Sequence, residues 1–205
     1  MGTAPTGKIG PAGPRPSGSP LVGRSSQWEV LVRTYSGLED IGHLIVLDGE
    51  AGIGKTRLAN EFSAHVRARG GTVVTARCFS GEVDLSADPF VEVLRRGITT
   101  HGDRLDAVPD LWLSEAGRLV TEMTEVRPGL PPAPPLDTPG AQGRFFEAVS
   151  QTVLAVTRGT GPGVLVLDDL HRADASSLDL LTYVVRRLDR LPLLILGTWR
   201  AEQLP

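Results

Sequence analysis

Two stretches of the chain carry residues that could do chemistry together. One is GEAGIGKT (49–56), which satisfies G-x-x-x-x-G-K-[ST]. The other is VLVLDDLHRAD (164–174), where an apolar run ends in adjacent carboxylates, Asp168 and Asp169. Two like charges at the end of a buried strand cost free energy unless something positive stands beside them. In the first stretch, Gly49, Gly52 and Gly54 let the backbone curl so that N–H groups point inward. The helix that follows adds its positive end, and the result is a phosphate cradle. Lys55 is then expected to reach β- and γ-phosphates and Thr56 to ligate magnesium. Asp168 is expected to hold that metal through water, and Asp169 to orient or deprotonate the attacking water. On this reading the positive partner of the acid pair is Mg²⁺, with Lys55 nearby.

These residues need a scaffold that brings two distant strand ends together. HLIVLDG (43–49) is a continuous apolar run, expected as a strand buried on both faces, and it leads straight into the glycine-rich loop. TRLANEFSAHVRARGG places Leu58, Ala59, Phe62 and Val66 at helical spacing and closes on Gly70-Gly71. GTVVTARC (71–78), VLVLD (164–168) and LPLLILGTWR (191–200) read as three further strands. Between them, 25–38 carries Trp28, Leu31, Val32 and Tyr35 on one side, and 79–127 reads as mostly helical. PGLPPAPPLDTPGAQG (128–143) is a proline-rich connector that cannot continue a helix. RFFEAVSQTVLAVTRG (144–159) is amphipathic along Phe146, Val149, Val153 and Val156. The next helix is expected to start at an Asp174 cap, with Leu178, Leu181, Val185 and Leu188 inward.

Apolar strands alternating with amphipathic helices predict an α/β fold with a parallel sheet sandwiched by helices, and the G-x-x-x-x-G-K-[ST] loop between a strand and a helix makes the expected class a P-loop NTPase. The pair of acids, with no N/T-K-x-D tetrad and no LSGGQ-like run, points to the branch that uses a catalytic acid. There the 191–198 strand should lie between the two motif strands. That order would carry Thr198 and Arg200 to the γ-phosphate edge, where Arg200 is expected to sense that phosphate. His171 is expected to serve structure rather than proton transfer.

Composition sets outer bounds. The 205 residues suffice for one α/β domain with a core, 40% are hydrophobic and 22% charged, and the net charge is -3. Nothing in that balance argues for direct nucleic-acid binding. The one cysteine, Cys78, excludes an internal disulfide and leaves no zinc cluster, and the four histidines have no metal-ligand spacing. No apolar run approaches the ~18 residues of a membrane span. Residues 1–20 are low-complexity, expected as a disordered tail without a signal peptide, and a cytoplasmic location follows as the default.

Five segments in order resemble one family: LVGR (21–24), GEAGIGKTRL (49–58), ADPF (87–90), VLVLDDLHRAD (164–174) and GTWR (197–200). They look like the AAA-like ATPase modules of signal-transducing NTPases, found in MalT-like, LuxR-type and SARP-type bacterial transcriptional regulators and before some cyclase and kinase domains. The resemblance covers about 21–200. It implies ATP as ligand, held by Val22, Gly23 and Arg24 near the adenine and by the run Gly49, Glu50, Ala51, Gly52, Ile53, Gly54, Lys55, Thr56 and Arg57. It implies self-association through the module, and DNA contact only through an output domain absent from this chain. Ser25 and Ser26 stand where the family continues with acids, and Arg172 stands where it commonly has an aromatic residue. Relative to that family a fifth strand, a helical lid and a winged-helix region are expected after residue 205, so 21–205 reads as an ATPase core incomplete at its C-terminus. The strand bearing the loop would then be an exposed edge. Three functions remain open: an ATP-driven switch, a non-catalytic interaction module with nucleotide as a structural ligand, and a small-molecule kinase.

Overall fold

The computed structural model describes residues 23–79 and 89–200. Val22, and Ala87 and Asp88 of the ADPF segment, lie outside the described residues. Among the described residues, four strands form one parallel sheet: β1 (His43–Leu47), β2 (Val73–Arg77), β3 (Gly163–Asp168) and β4 (Leu193–Thr198). Their order is β1-β4-β3-β2, so the last strand stands between the strand before the glycine-rich loop and the strand ending in the acid pair, as expected. Helices α1 (Ser25–Ser36) and α2 (Lys55–Arg67) lie on one face. On the other lie α3 (Pro89–His101), α4 (Asp110–Ala116), α5 (Met123–Val126), α6 (Ala141–Thr157) and α7 (Ala175–Val185).

Strand alternation divides the core in two. Val164, Val166, Leu194 and Leu196 face Trp28, Leu31, Leu58, Phe62 and Val66. Leu165, Leu167, Leu193 and Ile195 face the larger helical layer, with Phe90, Leu94, Val153 and Val156 among its members. Every residue of β3 and β4 is buried. That is why these two strands read as unbroken apolar runs. Cys78 is a fully buried core residue.

Two expectations need correction. β1 is not buried on both faces: Leu44 is 37% exposed and Val46 44%. The strand lies at the sheet edge, Ile45 and Leu47 pack toward α1 and α2, and the opposite face is left open among the described residues. In α7 the inward stripe runs through Ser177, Leu180, Leu181 and Val184, with Leu188 just beyond, while Leu178 faces solvent and Val185 is half-buried. Helix α7 is apolar on several sides, so period alone chose a neighbouring stripe.

Candidate functional site

The three strand ends β1, β3 and β4 converge where the loop 48–54 turns into α2. Gly49, Gly52 and Gly54 have φ of +148°, +76° and +92°, left-handed backbone that favours glycine. Helix α2 starts at Lys55, directly after the left-handed Gly54 cap. Lys55 is 7% exposed, and its ammonium donates to the carbonyl oxygens of Gly49 at 2.6 Å and Glu50 at 2.8 Å. The lysine thus lies folded across the loop it belongs to. Arg24 donates to the carbonyl oxygen of Ile53, so the residues before α1 do reach the loop. Gly23, Glu50, Ala51, Gly52 and Ile53 are exposed along it. Arg57 pairs with Glu61 on the solvent side of α2 at 2.9 Å.

The acids are held by hydroxyls from two other elements. Asp168 Oδ1 accepts from Thr56 Oγ1 at 2.9 Å and from Thr198 Oγ1 at 2.6 Å. Thr198 Oγ1 in turn accepts from the Asp169 backbone N–H at 2.8 Å. A single buried hydroxyl at the end of β4 therefore ties both aspartates to the strand between the motifs. Asp169 has φ +56° and ψ +42°, the one non-glycine residue at positive φ among those described. Such backbone costs free energy and is concentrated at functional sites.

The charge partner of Asp169 is a residue that sequence reasoning missed. Arg77, at the end of β2, donates to Asp169 Oδ2 from Nε at 3.1 Å and from a terminal nitrogen at 2.8 Å. Arg200 stands 3.7 Å from Oδ1. Burial acts to raise the Asp169 carboxyl pKa, but hydrogen bonds and charge from Arg77, aided by Arg200 and His171, outweigh it and hold it below the carboxylate range. Lys55 was the expected cation from the chain itself; among the described residues the cations placed against Asp169 are two guanidiniums. It is the sheet that brings Arg77 here: parallel β2 and β3 end together, with Arg77 opposite Asp168.

His171 packs edge to face on Trp199, with ring centres 6.1 Å apart, and both ring nitrogens are buried without a partner among the described residues. Burial lowers its pKa most, opposed by Asp169 and reinforced by Arg200, Arg172 and Lys55. The ring is therefore neutral near pH 7. Asp174 caps α7, accepting from Ser177 N at 2.8 Å.

The donor set fits a magnesium–nucleotide pair. Thr56 and Asp168 offer hard oxygens one hydrogen bond apart, and Thr56 donates its proton to Asp168, leaving its lone pairs for a cation. No group of three or more His, Cys, Asp or Glu among the described residues is arranged to hold a metal ion by itself. A magnesium that takes most of its ligands from phosphate and water needs none. No described helix is long and apolar enough to cross a membrane.

Comparison with known proteins places this geometry in a family. Residues 20–196 match the family model described as AAA ATPase domain. Over 202 residues the chain is 25% identical to an uncharacterized protein of Rhizobium meliloti (strain 1021). The matched region covers 89% of this chain and 19% of that protein, so the chain spans about a fifth of the relative's length. A nucleotide ligand follows from the family match together with the loop. The chain belongs to the AAA ATPase domain family.

Proposed function

We propose that the chain is the ATP-binding and ATP-hydrolysing core of a bacterial signalling or transcriptional regulator, acting as a nucleotide-dependent switch. The observation that carries the reading is the join between elements. Thr56 at the loop, Asp168 on β3 and Thr198 on β4 meet at one carboxylate oxygen, with Asp169 next in the chain. Gly49, Gly52, Gly54 and Lys55 would hold the phosphates, and Thr56 and Asp168 the magnesium. Bound magnesium supplies charge neutralisation of the phosphates. Val22, Gly23 and Arg24 would lie near the base.

Both bonds from Arg77 fall on Oδ2, which leaves Oδ1 of Asp169 for a water. Asp169, whose carboxyl Arg77 holds below its ordinary range against the effect of burial, would orient or deprotonate the attacking water. Water would add to the γ-phosphorus as the bond to the β–γ bridging oxygen breaks, the water's proton passing to the released phosphate either directly or by way of Asp169, and ADP and phosphate would leave. Arg200, 3.7 Å from the same oxygen, would sense the γ-phosphate. Lys55 must leave the carbonyls of Gly49 and Glu50 to reach a phosphate, and that exchange is a local event a switch can use. Self-association through this module, and DNA contact through an output domain elsewhere in a longer protein, belong to the same proposal. A cyclase- or kinase-linked signalling protein would use the module in the same way.

The two guanidiniums around Asp169 favour one other reading, a non-catalytic nucleotide-binding interaction module. One measurement tests both readings and a second separates them. Lys55→Ala should abolish saturable MgATP binding by calorimetry, and a wild-type chain that shows none defeats both readings. Asp169→Asn should keep binding and lower phosphate release at least tenfold; an unchanged rate establishes the interaction module instead.

A further inference from the structure

At the far end of the sheet from the glycine-rich loop lies a cavity of about 710 Å³. It runs along the outer edge of β2, between the last turns of α2 and α3. Arg67, Arg96, His101 and Arg104 line it, and no carboxylate does. A second cavity of about 440 Å³ shares Arg104, adds Arg158 and again contains no acid. This concentration of arginine stands on a chain whose net charge is -3. Arg67, Arg104 and Arg158 have no carboxylate partner among the described residues, while Arg96 keeps one contact to Glu92.

The floor supplies directional donors. Thr72 O accepts from Val164 N, so the carbonyl of Thr72 points at β3. By the alternation of a parallel ladder, Val73 and Thr75 turn their N–H and C=O groups outward, into the cavity. Arg104, which lines the cavity, is fixed by bonds to Thr72 Oγ1 at 3.1 Å and the carbonyl oxygen of Val156 at 3.3 Å. Both bonds use the same terminal nitrogen, so Nε and the other terminal nitrogen have no hydrogen-bond partner among the described residues.

We infer that this basic cavity is a binding site for a small polyanion, a phosphorylated or polycarboxylated metabolite, recognised by Arg67, Arg96, Arg104 and the outward N–H groups of Val73 and Thr75. The volume suits a small ligand. An acidic peptide added as a strand is disfavoured, because side chains already occupy both ends of the edge. Arg67 donates to Val73 O at 3.2 Å, and Glu92 Oε2 accepts from Arg77 N at 2.7 Å. What remains is too short for a strand ladder.

The test uses the full chain carrying Lys55→Ala, so that anions do not report through the glycine-rich loop. Citrate and inositol hexakisphosphate are titrated in separate calorimetric runs, which distinguish a carboxylate from a phosphate preference. Amide shifts are followed by NMR. The site predicts saturable one-to-one binding of at least one probe, with the largest shifts at Val73 and Thr75. Arg67→Gln with Arg96→Gln, two exposed changes, should weaken it at least tenfold, and Arg104→Gln should do the same. Absence of saturable binding overturns the proposal. So does binding that the Arg67/Arg96 double variant leaves unchanged, or a poly-glutamate peptide that binds more tightly than either probe and protects the Thr75 amide from exchange.

Discussion

At the scale of single residues, the site is governed by one hydroxyl and one guanidinium. Thr198 is 1% exposed and engages both aspartates. Thr198→Val keeps the shape but strands the Asp169 N–H, and should lower stability by about 1–3 kcal/mol in denaturant melts. Arg77 acts through acidity. A carboxyl whose folded pKa lies below its unfolded value contributes stability above the unfolded pKa and loses it as pH falls through the folded pKa. Asp169 is such a group, so its contribution is present at neutral pH and disappears in acid. Arg77→Ala leaves the burial and removes the main compensation. Acid unfolding of that variant, followed by circular dichroism, should therefore begin at a higher pH than in the wild type. The acids and the lysine were legible because their spacing is a motif. Arg77 was not, because its meaning depends on which strand lies beside β3, and an arginine after a β-strand is otherwise an ordinary surface residue.

At the scale of elements, close approach and capping decide what each helix tolerates. α3 crosses α6 at Gly97, where an added Cβ would sit 2.5 Å from Val156 Cγ2 and 2.6 Å from its Cβ. Gly97→Ala should overpack that crossing and cost about 1–3 kcal/mol, despite alanine's better helix propensity. Asp174→Ala removes the α7 cap and should cost about 1 kcal/mol in the same melts. The cap was readable from Asp174 and the helical run after it. The inward face of α7 was not, because Leu178, Leu180, Leu181, Val184 and Val185 offer several overlapping stripes. Only the sheet beneath selects among them. β1 failed differently: a strand beside only one neighbour carries the same apolar letters as a central one, and its position in the sheet is not written in its own residues.

At the scale of the whole molecule, ligand and fold should be coupled. If only the folded chain binds MgATP, a concentration of ~1,000 times Kd adds about 4 kcal/mol. For a domain of this size that raises Tm by roughly 10 °C, readable by scanning calorimetry, and Lys55→Ala should remove the shift. The sheet order also has a history in time. The ladder of β1 begins with His43 opposite Leu194. At a ribosomal rate of about 5–20 residues per second, β1 waits roughly 8–30 s for its neighbour. Until then β1 can join neither β3 nor β2, and the carboxylates and the loop that share one site belong to separate halves of a nascent chain. The nucleotide site is thus assembled only once β4, which stands between the two motif strands, has been translated, and a ribosome stalled before Thr198 would display a loop with no acid pair joined to it.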